Sequence, residues 1–207
     1  MKKFGLLLII CATANFLSGD ALLDTIKQNY KRIFSLQGKF NQTICSEVSG
    51  TCQELSGKFY IMRPYYTRLE VDFPKKQLIV ADSLNLYIYL IEQKKVYQQK
   101  TVMNYNFFKL FDTFLNMPQN LKSTEKKAGF IYYMLLSDSL NLDSDIPFKS
   151  YSLGVNQKSR LIEEFSFVDL SGNEFSFKFQ ALKVNEKIPK KLFSFKIPKG
   201  VEVINLK

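Results

Sequence analysis

The chain of 207 residues has no histidine, no tryptophan and only 3 cysteines. Without imidazole there is no Ser-His or Cys-His nucleophile pair and no histidine ligand for a metal. That excludes a large share of hydrolase and metalloenzyme readings. The sequence also lacks any internal run approaching the ~20 apolar residues of a transmembrane helix, and no repeat array, low-complexity tract or linker divides it. Acidic residues are the minority charge, 19 against 29 Lys and Arg, a net +10 that bears on partners rather than on fold. What is plentiful is aromatic, with 19 Phe and 11 Tyr. A hydrophobic fraction of 46% and a charged fraction of 23% describe a folded domain, not a disordered chain. The length fits one domain or at most two small ones, with enough chain to bury a sizeable core.

Met1-Lys2-Lys3 precedes the apolar stretch Phe4 to Ala12, the basic start and short hydrophobic region of a secretory signal peptide. Cleavage after Ala21 uses Gly19-Asp20-Ala21, with small residues at both specificity positions; Ala12-Thr13-Ala14 is a rival inside the apolar run. Cys11 does not make a lipoprotein leader, because bulky Ile10 precedes it. The expected division is therefore residues 1–21 as signal peptide and 22–207 as one mature domain. The cut removes Lys2, Lys3 and Asp20 and leaves an excess of +9. It also leaves two cysteines, Cys45 and Cys52, on either side of the polar segment Ser46 to Thr51. In an oxidising compartment they are expected to form a disulfide across a hairpin loop. Two thiols without histidine make only half a zinc site.

Leu22, Leu23, Ile26, Tyr30, Ile33 and Phe34 recur at three- and four-residue spacing, which predicts an amphipathic helix ended by Gly38. The period then becomes two. Strands are predicted at Gly57–Arg63, Tyr66–Phe73, Gln77–Ala81, Asn85–Ile91 and Lys94–Gln99, joined as an antiparallel meander. Phe107, Phe108, Leu110, Phe111, Phe114 and Leu115 fit a second helix stopped by Pro118, and Gln119 to Lys127 reads as a polar loop. Strands resume at Phe130–Leu136. Phe165 and Phe167, then Phe175, Phe177 and Phe179, then Phe193, Phe195 and Ile197 place rows of large side chains on three C-terminal strands. Such rows fit either a plain sheet core or the lining of a cavity under loose helices. Asp143 and Asp145, or Glu163 and Glu164, are the nearest things to paired carboxylates, and nothing around them supports acid–base chemistry. No enzyme is expected.

Several blocks, in order, resemble the LolA family of periplasmic carriers of outer-membrane lipoproteins. Phe40-Asn41-Gln42-Thr43 is similar to the family's F-x-Q-T, and Arg63-Pro64-Tyr65-Tyr66-Thr67-Arg68 to its [KR]-P-x-x-[FL]-R. Pro74 to Asp82 is similar to P-x-x-Q-x-[IL]-V-[SA]-D, and Tyr87-Ile88-Tyr89 to an aromatic-x-Tyr strand. Asp169 to Asn173 resembles a D-x-x-G-[NQ] turn, and Phe193 to Ile204 resembles F-x-F-x-x-P-x-G-V-[DE]-V-I. Leu69 stands where the family often has Trp.

The resemblance implies a mainly antiparallel β fold with two or three helices: an incomplete, half-open β-barrel with a helical lid over an apolar cavity for acyl chains. It implies a gate in which the basic residue before the proline, here Arg63, holds the lid, with Arg68 as a second gate residue. The cavity lining is expected from Phe40, Phe59, Ile61, Leu69 and Val71, and from Tyr87 and Tyr89. Phe107, Phe111 and Phe114 of the second helix would contribute, as would Phe165, Phe167, Phe175, Phe177 and Phe179. The implied partners are lipoprotein cargo, an inner-membrane lipoprotein-releasing ABC transporter and an outer-membrane receptor or other acceptor. A periplasmic monomer is expected, with no cofactor and no nucleic-acid partner. A related lipid- or glycolipid-binding module, or a sensor on the same fold, is the alternative. The lysine pairs Lys75-Lys76, Lys94-Lys95, Lys126-Lys127 and Lys190-Lys191 are either a solvated surface or attraction to anionic membranes or an acidic partner.

Overall fold

The computed structural model describes residues 19–100, 121–136 and 148–206. Among them one α-helix, α1 (Gly19–Lys31), precedes twelve strands. The first six are β1 (Ser35–Cys45), β2 (Cys52–Met62), β3 (Tyr66–Phe73), β4 (Gln77–Ala81), β5 (Asn85–Leu90) and β6 (Lys95–Lys100). The others are β7 (Leu121–Lys127), β8 (Phe130–Leu136), β9 (Phe148–Asn156), β10 (Ile162–Asp169), β11 (Glu174–Val184) and β12 (Glu202–Leu206). The second helix expected at Phe107 to Leu115 lies outside the described residues.

The strands form one sheet in the order β12-β6-β5-β4-β3-β2-β1-β11-β10-β9-β8-β7. Every pairing is antiparallel except β12 on β6. The outermost strands, β12 and β7, do not pair with each other, so the sheet is open.

Because side chains alternate across a strand and directly paired residues share a face, the registers define two faces. On one, Phe40 lies opposite Phe179 and Gly57, Phe59 opposite Leu69, and Leu69 opposite Ile79. Leu23, Ile26 and Tyr30 of α1 are buried in the same cluster as Phe40, Phe59, Ile61 and Val71 and as Tyr133, Leu153 and Phe165. This is the helix face. The other carries Tyr60, Met62, Tyr66, Val80, Tyr87 and Val96. It is covered by residues 186–200, which cross it as a strap after β11: Ile188 and Phe193 bury against Met62, with Tyr60 and Tyr66 alongside.

Several elements differ from the sequence expectation for identifiable reasons. The helix stops at Lys31, and Gly38 sits inside β1, not at a helix end. Asn185 makes the early stop. Its side-chain oxygen accepts from the N–H of Phe34 at 2.7 Å, its amide donates to Arg32 O at 3.3 Å, and its own N–H bonds Ser35 O at 2.8 Å. Gly38 is needed where β1 runs between β2 and β11, since a Cβ there would lie 2.8 Å from Gln180 O and 3.2 Å from the Phe59 ring. The polar stretch predicted as a loop holds β7, an edge strand. Phe193, Phe195 and Ile197 do not form a strand: Lys190–Phe193 is a 3₁₀ turn and the residues after it run extended without a ladder.

Cys45 and Cys52 are paired across the end of the β1–β2 hairpin and form a disulfide, with Cα atoms 4.1 Å apart. In the chain-entropy account a loop this short restricts the unfolded state by about 2 kcal/mol. Replacing both with alanine is expected to lower unfolding free energy by that amount in urea titrations while leaving the far-ultraviolet circular dichroism unchanged. Equal midpoints for the two proteins would contradict it.

Candidate functional site

The helix face is built around aromatic rings brought together by strand register. Phe165 pairs with Phe177 and Phe167 with Phe175 across β10 and β11. The rings then pack in sequence. Phe59 meets Phe179 edge-on at 5.4 Å, Phe179 stacks on Phe177 at 6.1 Å, and Phe177 stacks on Phe165 at 6.0 Å. Phe167 stacks on Phe175 at 4.6 Å and meets Phe148 of β9 at 4.2 Å. Offset stacks and edge contacts are the favourable arrangements for such rings.

Burial along this layer is graded. Phe40, Phe59, Ile61, Val71, Phe165 and Phe179 are buried with α1. Leu69, Phe167 and Phe177 only border that cluster, and Phe175 is half-buried. The predicted lining residues thus divide into those that hold α1 to the sheet and those that carry the apolar surface past it. Phe107, Phe111 and Phe114 lie outside the described residues.

Tyr87 and Tyr89 are a correction. The register places Tyr87 opposite Val80 and Tyr89 opposite Leu78, whereas Leu69 pairs with Ile79, which pairs with Ile88. Both tyrosines therefore point to the strap face, where they pack on Phe195 at 5.1 and 6.0 Å. They do not line the helix face.

The two candidate gate arginines also separate. Arg63, half-buried in the β2–β3 turn, donates through Nε to Ile33 O at 2.9 Å and through Nη2 to Tyr30 O at 3.2 Å. These carbonyls belong to the last turn of α1 and the link after it, where helix carbonyls lack intrahelical donors and a cation is favoured. Arg68 points the other way. It pairs with Glu70 at 2.7 Å and donates to Leu192 O at 2.9 Å, holding the strap rather than the helix. Its placement as part of a helix gate is corrected on that geometry.

Tyr30 anchors the same end of α1 from the other side. Its ring is buried, and its hydroxyl accepts the N–H of Ile162 at the start of β10 at 2.8 Å. Burial is the main cause that pushes its phenol well above the usual tyrosine range. Burial likewise pushes Tyr151 on the helix face up to about 12. Both stay neutral throughout the physiological range, so neither puts charge on the apolar face. Among the described residues no group of acidic side chains and thiols is arranged to hold a metal ion.

The family profile described as "Outer membrane lipoprotein carrier protein LolA" matches residues 31–196. The chain belongs to the LolA family. It is 25% identical over 198 residues to an outer-membrane lipoprotein carrier protein of Pseudomonas putida strain W619, covering 94% of this chain and 92% of that one. It is 28% identical over 174 residues to the protein of that name from Chromobacterium violaceum, covering 83% and 81%. A solved structure of an uncharacterized conserved protein from Thermus thermophilus shares the fold, with a TM-score of 0.56 at 14% identity over 92% of this chain and 100% of that one. No helix among the described residues is long and apolar enough to cross a membrane.

Two features of this LolA-family site were not read from the sequence. One is Asn185, which stops α1 from the far end of β11. The other is Thr67, buried on the helix face between Ile61 and Ala81, whose hydroxyl has no partner among the described residues. An unpaired buried hydroxyl costs about 1–3 kcal/mol, so Thr67→Val is expected to raise the thermal midpoint. A lowered midpoint would show that the hydroxyl is satisfied in the folded protein.

Proposed function

We propose that this chain is a periplasmic carrier that shields lipoprotein acyl chains and moves them from the inner to the outer membrane. The observation that carries the reading is the graded aromatic face: Phe167, Phe175 and Phe177 continue an apolar layer beyond the part that α1 buries. In this reading the layer is the floor of an acyl-binding cavity in an incomplete barrel, and α1 is its lid. Residues 1–21 are a cleaved secretory signal, and Leu22 onward is the mature carrier.

Arg63 is the gate residue. Its two bonds to the end of α1 keep the helix on the sheet when the site is empty and give way when acyl chains displace it. Charge-assisted bonds of this kind are worth about 1.5–3 kcal/mol each, which is small enough for cargo binding to reverse.

Energetics set the carrier's place between two machines. Covering an acyl chain gains about 0.8 kcal/mol per methylene relative to water. Relative to a bilayer it gains almost nothing, because lipid tails are equally apolar. The carrier solves solubility and does not drive extraction. An inner-membrane lipoprotein-releasing ABC transporter loads it, and an outer-membrane receptor unloads it by binding the cargo better. Binding chemistry of this sort calls for neither a catalytic residue nor a cofactor.

Arg63→Leu is the direct test. Hydrogen exchange across Leu23–Lys31 is expected to quicken at least tenfold, and transfer of a lipoprotein from transporter vesicles through the carrier to acceptor membranes to slow by a similar factor. Unchanged exchange and transfer would remove Arg63 from the gate.

A further inference from the structure

The basic excess is unevenly placed. At the end of the sheet where β3 turns into β4, the β5–β6 turn and the approach to β12 come together. The N–H of Ile91 bonds Lys76 O at 3.3 Å, and the N–H of Glu202 bonds Lys94 O at 2.9 Å. This corner therefore groups Lys75, Lys76, Lys94, Lys95 and Lys199, with Lys196 just behind on the strap. Its acids are Asp72, Glu92 and Glu202, and Glu202 is paired with Lys95 at 3.2 Å. The β1–β2 and β10–β11 turns further along the same end carry Glu47, Glu54 and Glu174 instead, which sets the lysine corner apart from its neighbouring turns among the described residues.

Large apolar side chains stand exposed among those lysines. Phe73 is 54% exposed at the β3–β4 turn, Ile91 39% at the β5–β6 turn and Ile197 41% on the strap. Exposed aromatic and aliphatic side chains ringed by lysine match the two layers of an anionic bilayer surface, with headgroups for the ammonium groups and the acyl boundary for the rings.

We infer that this corner docks the protein reversibly on anionic phospholipid membranes, with Lys75, Lys76 and Lys94 on headgroups and Phe73 and Ile91 at the acyl boundary. The inference stands apart from cargo binding. It uses none of the residues of the aromatic face or of the Arg63 clamp, and it assigns a partner to two of the lysine pairs, Lys75-Lys76 and Lys94-Lys95. Each lysine near such a surface contributes about a fivefold gain in partitioning, and the attraction weakens with salt because the charges are exposed.

The test is co-sedimentation of the full mature chain, without cargo, with vesicles of 70% phosphatidylcholine and 30% phosphatidylglycerol, compared with pure phosphatidylcholine. Binding is expected to the anionic vesicles at low salt and to be lost at 0.5 M NaCl. Lys75→Glu with Lys76→Glu is expected to reduce partitioning by about 25-fold or more, and Phe73→Ser by about fivefold. Lys126→Glu with Lys127→Glu, the same charge change at the β7–β8 turn on the opposite end, is expected to leave it within twofold. Circular dichroism and thermal midpoints confirm that each variant is folded. Equal binding to both vesicle types, no binding to either, or equal loss from the two lysine pairs would overturn the inference. The last result would reduce the attraction to net charge alone.

Discussion

The rest of the structure depends on the clamp at the C-terminal end of α1. A helix of 13 residues has little stability of its own in water and holds its shape through what it packs against. Here it packs on the aromatic face of an open sheet. Its last turn is fixed from two directions, by the Arg63 guanidinium from the β2–β3 turn and by the Tyr30 hydroxyl on the N–H of Ile162. Those anchors lie on strands separated in the sheet by β1 and β11, so at this end the helix bridges the two halves of the sheet. The aromatic layer runs away from that end and loses burial as it goes. Cover and access are thereby arranged along one axis, with the buried rings near the clamp and the half-buried ones beyond it.

The strap makes this one-sided arrangement possible. The main core lies with α1 on the helix face, and residues 186–200 supply a second, smaller one on the opposite face. Phe193 lies against Met62 and Tyr66, Phe195 against Tyr87 and Tyr89, and Arg68 ties the strap at Leu192. The pairing of β12 with β6 then extends the sheet by one strand at that edge. The contacts of Arg63 and Arg68 therefore serve different faces, one holding a helix and the other a strap, although the two arginines are near neighbours in sequence.

Much of the sheet was legible because period-two patterning survives wherever one face is buried, as in Thr67, Leu69 and Val71 of β3. The same signal failed in three places, each for a physical reason. In β5 both faces are covered, so alternation says that Tyr87 and Tyr89 share a face but not which one. In the strap, Phe193 and Phe195 alternate without a ladder, since periodicity reports side-chain direction and not backbone pairing. In β7 the exposed residues of an edge strand, Lys126 and Lys127 among them, carry no apolar stripe to detect. Gly38 read as a helix stop because glycine marks both turns and close approaches, and the approach of Gln180 comes from a strand far away in sequence. Arg63 was legible as a gate candidate through its place before Pro64, while the partner that shortens α1, Asn185, had no local signature. The Cys45–Cys52 pairing followed from short spacing around a polar loop.

The central claim is that acyl chains occupy the helix face beyond α1. Its most direct test is photo-crosslinking with a synthetic diacyl lipopeptide bearing a diazirine near the end of one chain, followed by mass-spectrometric mapping of the adducts. The account predicts adducts concentrated on Phe167, Phe175 and Phe177, competed away by unlabelled lipopeptide. Adducts on the strap-face residues Tyr87, Tyr89 or Phe195, or none that compete, would contradict it.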